Sequence, residues 1–469
     1  MPVHPVDHLL TAGTRLHDPD GYDHPLERSM RDVAYNFPIA AIGAAVFGST
    51  GLSKPTAAAA NPSIIGQPWG YTPVYANDNT TQYTGLGGAG RVASTNAAAP
   101  NRAYMVPQFA GTISKLYIRL LTAQPAGVAL TVKVYINGSA TAVAITVAAS
   151  TAAGTILSDT TNSVSFVSGD KICLQLVEGT VAGTPLSATL DSYGVLVTPT
   201  GGTGFMTGYA MDNEAGPAAG ATKYYAPFGF LIAAPATEAT AQCPVPIACT
   251  LTGLTVVTDT TQPATGTFVF TVRKNGADTA IVATVTAGAT RNVFSTTGSV
   301  AFAAGDLLSV AGLNNASTTA CDIAGMSFSW TPDVAPGFFT GQSVGDTTNG
   351  QLGASRTRYT GVCGLLYIPP DTAEAEYDWV LPSALTMTGM YFRTTGAQPA
   401  SGTQAVTVRK NHVDTTITKT LAANDAAGTY SDAHNVAFAL NDYPTVKVVN
   451  GATTSGANIQ ALTVSATIP

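Results

Sequence analysis

Hydrophobic and polar residues alternate with a period of two ahead of three recurring turns. In the first such segment the apolar and polar sets are Leu130, Val132, Val134 and Ile136 against Thr131, Lys133 and Tyr135. In the second they are Phe268, Phe270 and Val272 against Val269, Thr271 and Arg273. A period of two places successive side chains on opposite faces of an extended chain. The pattern therefore predicts β-strands that bury one face.

Four landmarks recur in the same order three times along the chain. The first is a Gln-Pro-Ala turn, with its prolines at Pro125, Pro263 and Pro399. The others are a turn dipeptide, a Val-x-Phe motif and a Gly-Asp or Asn-Asp turn: Asn137-Gly138, Asn275-Gly276, Asn411-His412; Val164/Phe166, Val300/Phe302, Val436/Phe438; Gly169-Asp170, Gly305-Asp306, Asn441-Asp442. The prolines are 138 and 136 residues apart, and the valines 136 and 136. This register predicts three copies of one unit.

The turns and strand lengths predict the architecture of each unit. Asn-Gly after an alternating strand favours a two-residue hairpin, and His412 replaces the glycine in the third unit at a small cost in strain. Short strands at regular turn spacing favour a two-sheet sandwich. We predict an all-β chain of three tandem antiparallel, jelly-roll-like β-sandwich domains behind an extended N-terminal arm. The predicted boundaries are 1–65, 66–199, 200–333 and 334–469, with short linkers and a semi-rigid array.

The first 65 residues differ in composition from the rest. Nine of the first 36 residues are charged, and four of the six histidines lie there: His4, His8, His17 and His24. With Asp18 and Asp20 they contain metal-ligating atoms, but their spacing matches no ligand motif, so a solvated or partner-bound arm is the favoured interpretation. The arm has room for one short helix at 25–35 and is too small for a core of its own.

Composition narrows the classes of partner. Only 10% of the residues are charged, against about 25% in ordinary soluble domains, and the net charge is −7. Without a basic stripe, nucleic acid is not an expected partner. The start MPVHPVDHLL has no basic segment followed by an apolar one, so no secretory export is expected. The segment FPIAAIGAAVFGS is shorter than the ~20 residues of a membrane span.

The cysteines are five in number and irregularly spaced: Cys173, Cys243, Cys249, Cys321 and Cys363. Neither a zinc site nor a disulfide framework is indicated, and buried free thiols are the favoured interpretation. A Cys243–Cys249 or Cys249–Cys321 bridge is the alternative.

No sequence motif for catalysis or cofactor binding is present, so we expect no enzyme activity and no cofactor. The repeated polar residues are the candidates for binding: Gln124, Gln262, Gln398, Asp170, Asp306 and Asp442. Turn formation explains both sets, because Asp caps nearby amides and Gln can do the same. The alternatives are a calcium or sugar contact at the aspartates and a shared ligand pocket at the glutamines.

Tyrosines cluster early in each unit, at Tyr71, Tyr75, Tyr83, Tyr224, Tyr225, Tyr359 and Tyr367. Packing in the core or at an interface is favoured over stacking on sugars.

Taken together, the Ala/Thr/Gly-rich composition, the tandem sandwiches and the N-terminal arm resemble virion proteins of tailed bacteriophages. The resemblance covers the architecture of the whole chain and includes no diagnostic motif. It implies a structural protein, as a capsid decoration protein or a head or tail fibre, located on the virion after synthesis in the host cytoplasm. It also implies an arm that binds capsid or tail proteins, and a homo-oligomer with a trimer as the first hypothesis. A carbohydrate-binding adhesin that binds a host-surface glycan is the alternative, and a polysaccharide-degrading spike is the third.

Overall fold

Three sandwiches of the same strand order make up the part of the chain that the computed structural model describes. The described residues are 61–68, 74–75, 81–87, 102–179, 189–202, 204–228, 236–343, 352–365 and 374–469. The predicted N-terminal helix at 25–35 and the four N-terminal histidines lie outside them. Residues Ala59–Pro469 form one compact unit.

Unit 1 contains the first nine strands. They are β1 (Ser63–Pro68), β2 (Val74–Tyr75), β3 (Thr81–Thr84), β4 (Gly111–Leu120), β5 (Leu130–Ile136), β6 (Ser139–Val147), β7 (Ile156–Phe166), β8 (Ile172–Glu178) and β9 (Thr189–Pro199). One sheet has the order β1-β9-β4-β7, with β2 added on β9, and the other has the order β3-β8-β5-β6. The boundary predicted at residue 66 falls inside β1.

Unit 2 repeats this arrangement. Its strands are β10 (Phe205–Glu214), β11 (Thr222–Tyr225), β12 (Cys243–Pro244), β13 (Cys249–Thr258), β14 (Phe268–Lys274), β15 (Ala277–Val285), β16 (Val293–Phe302), β17 (Leu307–Asn314) and β18 (Ile323–Pro332). The sheets are β10-β18-β13-β16 and β11-β17-β14-β15, with β12 added on β17.

Unit 3 has the same order with one strand interrupted. Its strands are β19 (Phe338–Ser343), β20 (Arg356–Thr360), β21 (Gly364–Leu365), β22 (Leu385–Thr394), β23 (Gln404–Lys410), β24 (Val413–Leu421), β25 (Gly428–Asp432), β26 (Val436–Phe438), β27 (Pro444–Asn450) and β28 (Ile459–Thr467). The sheets are β21-β19-β28-β22-β25, with β26 on β22, and β20-β27-β23-β24.

The strand order of every unit is that of a jelly roll. If the eight main strands are numbered along a unit, the first sheet has the order 1-8-3-6 and the second sheet 2-7-4-5. Each connection between consecutive strands therefore crosses from one sheet to the other or makes a tight hairpin, as in a jelly roll. Among the described strands every pairing is antiparallel except the two-residue pair of β19 and β21. The fold predicted from the sequence is confirmed for the described sandwiches.

The predicted hairpins and core residues are found as expected. Both residues of each two-residue turn have positive φ: 49° and 84° for Asn137 and Gly138, and 49° and 65° for Asn411 and His412. This is the geometry that a type I′ turn requires. The phenylalanines of the Val-x-Phe motifs are buried, and the valines are half-buried against the same cores: Phe166, Phe302, Phe438; Val164, Val300, Val436.

Candidate functional site: the repeated turns and the seams between units

In every unit the two-residue hairpin and the following Asp-containing turn are bonded to each other. The asparagine amide donates to the aspartate carboxylate at 2.6–2.7 Å in three equivalent pairs: Asn137–Asp170, Asn275–Asp306 and Asn411–Asp442. The asparagine carbonyl oxygen in turn accepts the backbone N–H that follows the aspartate. We call this pair the Asn–Asp latch. It joins the second sheet to the turn that enters its seventh strand.

The latch aspartates also cap their own turns. Asp306 Oδ2 accepts the N–H of Ala303 at 2.7 Å, and the Lys274 ammonium lies 2.8 Å from the same oxygen. Burial raises the pKa of Asp306, but the bonds from Lys274, Asn275 and Ala303 outweigh it, so the pKa lies below its ordinary value. Asp442 has the same partners in unit 3 and a pKa lowered for the same reasons. These bonds support the structural interpretation of the repeated aspartates.

The glutamines of the Gln-Pro-Ala turns are buried and face backbone groups. Gln262 Oε1 accepts the N–H of Cys321 at 3.0 Å. Gln398 Oε1 accepts the N–H of Ala457 at 3.1 Å. Gln124 donates through Nε2 to Val128 O at 3.3 Å. Each glutamine therefore fastens a loop of its own unit.

The structure places the two sets of repeated polar residues at opposite ends of each sandwich. In unit 1, β4 begins at Gly111, which pairs with Phe166 beside the latch turn. It ends at Leu120, just before the turn of Gln124. The glutamines and aspartates of one unit therefore do not form a common site. A calcium or sugar contact at either set stays a prediction.

Three tyrosines occupy equivalent positions on the second strand of the second sheet, and each has a neighbour over its ring. Tyr83 packs on Tyr135 with ring centroids 5.1 Å apart. The Arg273 guanidinium lies 5.9 Å from the Tyr224 ring centre, and Arg409 lies 5.4 Å from that of Tyr359. These faces are occupied, which supports packing over sugar stacking. Tyr71, Tyr367 and the side chain of Tyr75 lie outside the described residues, and Tyr225 is a core residue.

Units 2 and 3 share a further ion cluster around these arginines. Arg273 Nε lies 2.8 Å from Glu238, which also accepts the Ser309 hydroxyl at 2.7 Å. Arg409, Glu374 and Thr445 repeat the arrangement at 2.6 Å for both contacts. In unit 1 the register places Tyr135 opposite Cys173 at the corresponding position. There an apolar cluster replaces the ions and includes Tyr83, Tyr104, Cys173, and Val257 and Ala324 of unit 2.

The connection between the third and second strands of each unit lies on the first sheet of the next unit. We call these contacts seams, numbered by the units that they join. At seam 1–2, Val106 N donates to Ser327 Oγ at 3.0 Å, and Gln108 N donates to Ser329 Oγ at 2.9 Å. An ion pair of 2.7 Å joins Arg102 to the buried Asp259.

Seam 2–3 uses the equivalent loop of unit 2. Gly169 N bonds Pro107 O and Gly305 N bonds Val245 O, so Val106 corresponds to Pro244. Proline has no N–H to donate. The hydroxyl of Thr463 instead donates to the Pro244 carbonyl at 3.0 Å, and Gln460 Nε2 donates to Thr240 O at 2.6 Å.

Seam 3–1 joins the last unit back to the first. Trp379 is buried, and its Nε1 donates to Tyr193 O at 3.0 Å. Val380 N donates to Ser192 Oγ at 3.4 Å. The same loop sits on the first sheet of the next unit at all three seams. The three units therefore close head to tail into a ring with approximate threefold symmetry within one chain.

The first strands of the three units meet at the centre of the ring. They line one cavity, with Ile64, Ile65, Gly66, Met206, Thr207, Gly208, Phe339, Thr340 and Gly341 in its wall. Glycine is needed at position 66 because an added Cβ would lie 2.3 Å from Tyr193 O and 2.6 Å from Trp379 Nε1. One apolar core cluster contains residues of units 2 and 3 together with Ile64 and Leu196 of unit 1. The units are therefore not separate cores on a string.

Seam 3–1 carries an ionic contact that the sequence analysis did not find. Asp378 is 1% exposed and bonds Arg119 of unit 1 at 3.0 Å and His412 Nε2 at 2.7 Å. Burial raises the pKa of Asp378, and His412 and Arg119 lower it only in part. His412 adopts a φ of 65° where the other units have glycine, so its side chain reaches this carboxylate. The replacement of glycine by histidine was the available signal.

The cysteines do not form a redox or metal site. All five are unpaired and buried, so neither alternative disulfide is present. Burial raises the pKa of each thiol, which keeps it protonated and unreactive at neutral pH. Within the ranges described above, no group of three or more His, Cys, Asp or Glu residues could hold a metal ion. In the same ranges, no helix has the length and apolar character needed to cross a membrane.

Comparison with known proteins gives one similar structure. No family model and no curated protein matches the sequence. Among solved structures, the chain is similar to one described as "The Triple Jelly Roll Fold and Turret Assembly in an Archaeal Virus", with 11% identity and a TM-score of 0.15. The similarity covers 86% of this chain and 90% of that chain. The fold assignment above rests on the strand order and not on this similarity.

Proposed function

We propose that this chain is a structural protein of a virus particle, of the bacteriophage decoration or fibre type, that attaches through its N-terminal arm and carries no enzyme activity. The observation that carries the proposal is the closed ring of three jelly rolls within one chain. Such a ring gives a rigid, nearly symmetric body without subunit assembly. The oligomeric state of the whole chain stays a prediction.

The use of the polar side chains supports a structural role. The repeated aspartates and glutamines bond their own turns, and the ion clusters at Glu238 and Glu374 stabilise loop positions. The buried carboxylates Asp259 and Asp378 form ion pairs across seams 1–2 and 3–1. These groups stabilise the ring and are not directed into an open cleft, where catalytic groups with room for substrate would lie.

A carbohydrate-binding adhesin is the second candidate, because jelly rolls occur in both viral capsid and lectin domains. The loops at the Gln-Pro-Ala end favour it, since they expose Thr, Ser, Ala and Gly and few charges. Those of unit 2, for example, expose Thr260, Thr265, Ser317 and Thr318.

The experiment compares the full chain with residues 59–469. The deletion ends at residue 58 because Asn61 and β1 belong to the ring. Both proteins are added to particles assembled from the same genome without this chain, and co-sedimentation is measured. We expect the full chain to bind and the shortened chain to stay folded but unbound. Equal binding by both would place the anchor in the ring, and no binding by the full chain would refute the proposal.

The same two proteins separate the alternatives. An adhesin would bind host polysaccharide through the ring with or without residues 1–58. Release of reducing sugar from that polysaccharide, lost on replacing one carboxylate pair, would contradict the non-enzyme proposal.

A further inference from the structure

The linker between units 2 and 3 exposes the apolar side chain with the largest accessible fraction among the described large hydrophobic residues. β18 ends at Pro332 and β19 begins at Phe338. Between them Val334 is 79% exposed, and Asp333, Ala335 and Pro336 are exposed as well. The linker is held at both ends, because Asp333 N bonds Ala248 O and Gly337 is buried. Val334 is therefore presented on a fixed backbone.

The N-terminal arm enters the ring beside this linker. The side chain of Asn61 is fully buried and makes two bonds to Gly337, donating to its carbonyl at 2.7 Å and accepting its N–H at 2.6 Å. Residues 1–60 therefore precede a point fixed three residues from Val334. The N-terminal arm and the exposed valine share one location on the ring.

The equivalent linker between units 1 and 2 has no such feature. After Pro199 it continues with Thr200, Gly201 and Gly202, none of which has a large apolar side chain. A single exposed aliphatic residue is ordinary on a protein surface. Here it occurs at the linker beside the arm, and the pseudo-equivalent linker is hydrophilic and glycine-rich. The difference follows the position of the arm.

We propose that the linker of residues 333–336, together with the point where the arm joins the ring, is the surface that docks on the particle. This inference rests on the proposed function. Its partner is a protein surface with an apolar pocket for Val334 and Pro336. The aliphatic side chains offer no aromatic face for a sugar ring, and the carboxylate of Asp333 repels nucleic acid. The arm and the linker contact the same partner.

The test uses one charge substitution at the linker and one matched control. Val334→Glu places a charge in the docking surface. Val413→Glu places the same charge on a hairpin of unit 3, where the valine is 66% exposed. Both variants, in the full chain, are added to the particles lacking the protein, and co-sedimentation and circular dichroism are measured. We expect Val334→Glu to weaken binding at least tenfold with an unchanged spectrum, and Val413→Glu to bind as the unmodified chain does.

The other outcomes refute the inference in distinguishable ways. Equal binding by both variants and the unmodified chain would show that the linker does not dock, while the proposed function would stand. Equal loss in both variants would show a general effect of charge and overturn the assignment to the linker. Concentration-dependent self-association that Val334→Glu abolishes in sedimentation velocity would make the occupant a second copy of this chain. If the unmodified chain does not bind, the proposed function itself fails.

Discussion

Seam 3–1 closes the ring, and removing the side chain of Trp379 tests whether that closure stabilises the whole chain. Trp379 belongs to unit 3, is 1% exposed and donates to Tyr193 O in unit 1. Replacing a buried tryptophan with alanine costs about 3–5 kcal/mol through lost burial and the cavity left behind. About 1 kcal/mol of that is the hydrogen bond. Because domains are stable by only about 5–15 kcal/mol, the loss is a large fraction.

The measurement is urea unfolding followed by circular dichroism, with hydrogen exchange of the β9 amides as a local readout. We expect Trp379→Ala to lower the free energy of unfolding by about 4 kcal/mol. Trp379→Phe, which keeps most of the apolar contact but has no N–H, should lower it by about 1–2 kcal/mol. Protection of the β9 amides should fall as well, although the substitution lies in unit 3. Val282→Ala, at a residue 38% exposed, serves as the control and should change stability by less than about 0.5 kcal/mol.

Two results would refute the reasoning. One is a loss below about 1 kcal/mol for Trp379→Ala, which would mean that the seam does not bury the indole in solution. The other is normal protection of β9 beside an unfolded unit 3, which would mean that the units unfold independently and the ring is not cooperative.

Three further predictions concern the core, a buried carboxylate and the latch of unit 3. Phe302→Ala should lower the free energy of unfolding by about 3–5 kcal/mol in urea titrations, and a change below about 1 kcal/mol would contradict its core position. Burial raises the pKa of Asp159, but bonds from Ala144, Asn162 and Thr161 outweigh it and hold the pKa at about 2, below the ordinary 3.8. Its stabilisation is therefore present above about pH 4 and lost as the pH falls through about 2. Asp159→Asn should cost about 2 kcal/mol at pH 7 and nearly nothing at pH 2, so an equal cost at both pH values would count against this account. In a double-mutant cycle with Asp378→Asn, His412→Gly should show a coupling energy of about 1–2 kcal/mol in urea unfolding, because the imidazole bonds the buried carboxylate; a coupling near zero would show that His412 only fills a turn position.

Much of each sandwich could be predicted from local patterns. The alternation at Leu130, Val132 and Val134 fixes which face is buried, because a strand has a side-chain period of two. The Asn-Gly dipeptides fix the hairpins, because only a few residue types adopt positive φ at low cost. The buried phenylalanines follow from the same repeat. These features depend on residues close together in sequence, so the sequence states them directly.

The contacts within a unit needed the strand order as well. The Asn–Asp latch joins Asn275 to Asp306, two residues that the repeat had already singled out as separate turns. Their contact depends on which strands are neighbours in the second sheet. Likewise the binding candidates Gln262 and Asp306 lie at opposite ends of unit 2, which the repeat alone did not indicate.

The sequence by itself determined the repeat, the strands, the hairpins and the buried face of each sheet, whereas only the tertiary structure decided that the units close into a ring. The seams join residues such as Val106 and Ser327, which are 221 positions apart. The loops that make them carry different residues at equivalent positions, with Met105, Cys243 and Trp379 one after the other around the ring. A seam depends on the shape and bonding of two surfaces, and different side chains can satisfy it. Strand alternation and turn conformation leave a repeated signal in the sequence, but complementarity between folded surfaces does not.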